Sequence, residues 1–153
     1  MNTLIQIPIS QLSETELVVT FPEVYDERSV FAMLNRLSRR IPRMPRCRIL
    51  IDLRNASPEM CGFSPSMFSS CIELVGIVSR VDIRGSILLP STSMAKVITS
   101  AMALMPMSFP VRITQDVDDA ETFVGIALPT QQPVHSSAHR PEDSGANQRA
   151  PSH

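Results

Sequence analysis

Apolar residues along this chain recur in two rhythms, and the rhythms predict a series of strands and helices. "TLIQIPI" alternates Leu4 or Ile5 with Ile7 and Ile9, the two-residue period of a strand, with Pro8 pointing to an edge position. "ELVVTF" (Glu16–Phe21) is rich in β-branched residues and predicts a second strand, with the polar "SQLSET" between the two closing a hairpin. Val30, Leu34, Leu37 and Ile41 then recur at spacings of 4, 3 and 4, one face of a helix. Asp26 stands where its N-cap belongs, and Pro42 ends it because proline has no N–H to donate.

"RILIDL" (Arg48–Leu53) is short, apolar and β-branched, as a central strand should be. A polar stretch follows, and Ser64 with Pro65 forms a helix start, a capping hydroxyl followed by a proline at the first helical position. In that helix Met67, Cys71, Leu74 and Val78 form one stripe and Phe68, Ile72 and Val75 a second beside it. A helix so apolar is buried, or covers a sheet on one side and meets a partner or second copy on the other.

"IRGSILLP" (Ile83–Pro90) predicts the next strand. A helix follows with Ser91 or Ser93 as cap and Met94, Val97, Ala101 and Met105 on one face. "FPVRIT" (Phe109–Thr114) predicts the last strand. Asp116 caps a closing helix with Asp119 at its third position, close to a capping box. The order β-β-α-β-α-β-α-β-α predicts an α/β fold with a mixed, mainly parallel sheet. The folded domain is expected over residues 1–128. Pro129–His153, rich in Pro, Ser, Gln and His, is expected to be a disordered tail.

This order resembles the STAS domain, the fold of the anti-sigma-factor antagonists. The strand ending "ILIDL" is similar to that family's central strand. The segment "RGSILLPSTSMAKVITSAMALMPMSFPVRITQDVDDAETFV" resembles a bacterial, lipid-carrier-like branch. The resemblance covers most of Leu4 to Leu128. It implies a non-enzymatic regulatory module that docks a protein partner through the loop after the third strand and the helix behind it. It also implies a phosphoacceptor at that helix start, in a D-S-x-G setting. Here the matching stretch reads "GFSPSMFSS", which keeps serines at Ser64 and Ser66 and lacks the Asp and the Gly.

Composition narrows the chemistry. With a net charge of -1 the chain is not built to coat nucleic acid, and none is expected as a partner. Three cysteines, Cys47, Cys61 and Cys71, contain no CxxC pair, so no disulfide framework and no zinc site is expected. Reduced thiols fit a cytoplasmic protein, and neither a secretory leader nor a membrane span is expected. No cofactor is expected, because neither GxxxxGK[ST] nor GxGxxG occurs. All three histidines, His135, His139 and His153, fall in the tail. That leaves a nucleophilic Cys61 or serine without a histidine base, so no enzyme is expected.

Two clusters stand out as candidate binding residues. Asp52, Arg54, Asn55, Cys61, Ser64 and Ser66 follow the third strand, where open α/β sheets meet ligands. Two accounts fit them: recognition of an anion or partner at a helix start carrying about half a positive charge, or plain turns, a cap and a solvated carboxylate. The second cluster is "NRLSRRIPRMPRCR", which holds Arg36, Arg39, Arg40 and Arg43 among six arginines and no acid. It fits an acidic protein partner or a solvated helix end. Nine methionines, among them Met94, Met102, Met105 and Met107, suit a deformable core or a pocket for an apolar, lipid-like ligand. A small carrier or sensor of such a ligand is the alternative function.

Overall fold

The computed structural model describes residues 4–57 and 64–129. Its strands are β1 (Ile9–Ser13), β2 (Glu16–Thr20), β3 (Cys47–Asp52), β4 (Ile83–Leu88) and β5 (Val111–Thr114). Its α-helices are α1 (Glu27–Arg40), α2 (Pro65–Val78), α3 (Thr92–Ala103) and α4 (Val117–Val124), with a short 3-10 turn at Ile41–Arg43. The strands form one sheet in the order β1-β2-β3-β4-β5. β1 runs antiparallel to β2, and the remaining neighbours are parallel. The fold is therefore α/β with a mixed, mainly parallel sheet, as expected. The expected tail lies outside the described residues apart from Pro129.

Strand alternation decides which layer covers each face. Leu17, Val19, Cys47, Ile49, Ile83 and Ile87 share one hydrophobic core with Met33 and Leu37 of α1, Val78 of α2, and Met94 and Ile98 of α3. The residues between them point the other way: Val18, Leu50 and Leu88 pack with Ala120 and Val124 of α4 and with Ile126. Sequential strands joined by crossovers of one hand put all three connecting helices on one side. That leaves the opposite face to α4 alone. On that face Ser86 donates its buried hydroxyl to the Ala120 carbonyl at 2.8 Å. The Arg84 and Arg112 guanidinium groups lie 5.3 and 5.7 Å from the centre of the Phe123 ring, within cation–π range.

Three of the four α-helix starts follow the capping chemistry in the sequence; at α3 Ser91 makes no cap hydrogen bond, and its hydroxyl meets that of Ser93 at 3.1 Å. Asp26 accepts a hydrogen bond from the Ser29 amide at 2.8 Å. Bonds from the Ser29 hydroxyl and amide hold its carboxyl below the usual range. Ser64 accepts from the Met67 amide at 3.1 Å with Pro65 at the first position. α4 closes on Gly125, whose φ of 72° places it in the left-handed region suited to glycine.

Three expectations change. The first strand begins at Ile9, so Ser10–Ser13 belong to it and the hairpin turn shrinks to Glu14–Thr15. Pro8 supplies only its carbonyl, to the Thr20 amide at 3.1 Å, because it has no N–H for the ladder. Ile7 still turns fully into the core. On α3 the buried residues are Met94 and Ile98, whereas Val97 is 49 % exposed and Met105 falls beyond the helix end. Apolar residues ring α3 on several sides, and packing selects the side of Met94 and Ile98. Asp119 does not reach back to close a capping box. Its carboxylate pairs with Arg112, at 3.0 Å from NH2, and Asp116 caps the Asp118 amide instead.

Leu50 is fully buried between the sheet and α4. Leu50→Ala is expected to lower unfolding free energy by about 3 kcal/mol, as measured by urea denaturation.

Candidate functional site

The carboxyl ends of β2 and β3 and the starts of α1 and α2 meet at one end of the sheet. The site begins with Asp52, the last residue of β3. Its side chain faces the α4 side and the residue is only 4 % exposed. It is not a solvated strand-end carboxylate. Arg54 doubles back on it: Oδ1 accepts from the Arg54 amide and Nε, both at 3.0 Å, and Oδ2 accepts from NH2 at 2.9 Å. This fork geometry is the strong form of an Arg–carboxylate pair. Hydrogen bonding to Asp52 raises the Arg54 pKa above its ordinary value. The two candidate residues thus satisfy each other, and the pair braces the turn after β3. In that turn the Ala56 amide donates to the Leu53 carbonyl at 3.1 Å, which leaves Asn55 exposed at the tip.

The two candidate serines have different situations. Ser64 is committed twice: its oxygen caps α2, and its hydroxyl donates in a close hydrogen bond to Glu27, the first residue of α1. The two helix starts are thereby tied together. Ser66, at the second position of α2, is exposed. Cys61 lies outside the described residues.

The arginines form a separate surface. Arg36, Arg39, Arg40 and Arg43 line a shallow groove with Gln11, Glu14, Met44 and Pro45, where the end of α1 passes β1. Arg36 also donates to the Ile7 carbonyl. Among the described residues these four arginines enter no ion pair, whereas Arg48 of the same basic run pairs with Asp82 at 3.4 Å. Arg40 lies thirteen residues along α1 from Glu27, so about 20 Å of helix at 1.5 Å per residue separates this groove from the serines. The candidate residues therefore form two sites at opposite ends of α1. The separation follows from the direction of α1, which the sequence pattern alone does not relate to α2.

The two thiols among the described residues, Cys47 and Cys71, are poor nucleophiles. Burial pushes Cys47 up to about 11 and raises Cys71 as well. Among the described residues no group of acidic, histidine or cysteine side chains is arranged to hold a metal ion. No helix there is long and apolar enough to cross a membrane.

The methionine signal resolves into two roles. Met94 is core, whereas Met102, Met105 and Met107 line an apolar cavity of about 210 Å³ between the sheet and the helices. No protein-family model and no curated protein matches this chain.

Two outcomes follow from the geometry. Arg54→Ala is expected to cost on the order of 3 kcal/mol, because it strands a buried carboxylate. Asp52→Asn is expected to cost less, because the amide oxygen still accepts from the Arg54 backbone and the guanidinium turns to solvent; urea denaturation at pH 7 ranks the two variants. With a pKa near 11, roughly one Cys47 in ten thousand is thiolate at pH 7. Iodoacetamide should leave the Cys47 and Cys71 peptides unmodified in the native protein and label both after unfolding, as read by peptide mass spectrometry.

Proposed function

We propose that this chain is a non-enzymatic regulatory module resembling STAS domains. It docks a protein partner through the end of the sheet that carries the start of α2. The observation behind this reading is the contrast between the two serines. Ser64 holds the architecture together through its cap and its bond to Glu27, while Ser66 two residues on is open to solvent. The first turn of α2 therefore has a rigid base and a free hydroxyl.

Chemistry favours Ser66 over Ser64 as the phosphoacceptor. A phosphate on Ser66 would sit at the positive end of the helix dipole, where it is tolerated. On Ser64 it would displace the cap and confront the Glu27 carboxylate. The added charge at Ser66 would repel an acidic partner surface without unfolding the domain. Asn55 at the neighbouring turn widens the same face, and the Asp52–Arg54 pair keeps that turn in place. The mixed sheet and the helix at the end of the central strand support the resemblance to STAS domains.

The test starts with a photo-crosslinker placed at Ser66 and, as a control, at exposed Thr99 on α3. A protein captured at Ser66 alone is then purified and titrated against wild type, Ser66→Ala and Ser66→Asp. Ser66→Ala is expected to bind like wild type and Ser66→Asp roughly tenfold more weakly, about 1.4 kcal/mol. Equal affinities for all three would refute the switch, and identical capture at both crosslinker positions would refute the docking face.

A further inference from the structure

The cavity beneath the helices has a shape and a lining that suggest an occupant. Its floor is the helix-facing side of the sheet, including Ile49, Ile51 and Leu53, and Gly85. From Ile49 to Leu53 is four residue steps, about 13 Å at ~3.3 Å per residue, so the space is long enough along β3 for an extended chain, and Ile87 and Val111 carry its lining across to β5. A cavity of about 150 Å³ lined by Leu, Ile and Phe stays dry and takes up benzene; this one is about 210 Å³. Ser86, one of its few polar neighbours, has its hydroxyl committed to α4 on the opposite face.

Gly85 gives a second, independent observation. It sits in register between Ile49 and Val111 on the floor. A Cβ there would meet Ile49 Cγ2 at 3.5 Å and Val111 Cγ2 at 3.9 Å, ordinary contact distances, and its φ is not positive. The backbone does not require glycine, and a strand gains from a larger, branched residue. What the glycine does is keep the floor low.

The cavity also has a side toward solvent. α1 packs on α2, whereas α3 rests on β5. The lining residues there are half-buried: Cys71 and Leu74 on α2, Met102 on α3, and Met105 and Met107 after it. Methionines can shift to admit a guest, being unbranched and flexible.

We infer that this slot binds a single unbranched hydrocarbon chain, that of a free fatty acid, with the chain along the strands over Gly85 and the carboxylate left in solvent between α2 and α3. The volume suits one chain rather than the two of a membrane lipid.

The test is calorimetric titration of the full chain with laurate, in parallel with Gly85→Val, which raises the floor, and Cys71→Leu, which fills the slot from α2. Wild type is expected to bind one laurate. Each filling variant that keeps or raises the melting temperature is expected to weaken binding by about tenfold or more. If Gly85→Val fails to fold, Cys71→Leu gives the same reading from the other wall. Absence of laurate binding to wild type, or undiminished binding to a folded filling variant, would overturn the inference. Extraction of phosphatidylcholine from vesicles in preference to laurate would overturn the assignment to a free single chain.

Discussion

The central strand buries side chains on both faces, and the need to cover both governs the rest of the molecule. Cys47, Ile49 and Ile51 point toward three helices, while Leu50 points toward one. A strand of this kind needs neighbours on either edge and a layer above and below. The crossovers supply α1, α2 and α3 to one face in a single sense, so the chain must return after β5 to cover the other. The eight-residue α4 does this, lying over β4 with β3 and β5 on either side. Arg84 of β4 and Arg112 of β5 lie over its Phe123 ring.

That division of labour leaves different materials at different places. The end of the sheet at the starts of α1 and α2 is stiff, with a buried ion pair and a serine that bridges two helix starts. The far end of α1 carries concentrated positive charge with little opposing it. Between the layers, on the side where α3 lies on the edge strand, packing is loose and rich in methionine. The stiff end and the loose layer adjoin: Met67, whose amide Ser64 caps, and Leu53, between Asp52 and Arg54, both line the cavity.

Local chemistry was the legible part of the sequence. Asp26, Ser64 with Pro65, and Asp116 announced three helix starts, because a cap is a contact between residues a few positions apart. The central strand was equally plain from its composition. What failed turned on which of several available partners a side chain takes, even when that partner is close in the chain. Nothing near Asp119 tells that Arg112 competes for it, and nothing in "IDLRN" tells that Arg54 folds back on Asp52 rather than facing solvent. The inward face of α3 was ambiguous because apolar residues lie all round it. The split between the serine end and the arginine end was invisible for a simpler reason: a linear pattern gives helix faces but not the direction one helix runs beside another.

The exit from α4 has a mechanical consequence. Gly125 turns the chain, Ile126 plugs the core under α4, and the Leu128 amide donates to Glu121 at 2.7 Å. The last turn is thereby latched shut at Leu128. Any load pulling on the chain beyond this latch meets a sealed joint rather than a fraying helix end.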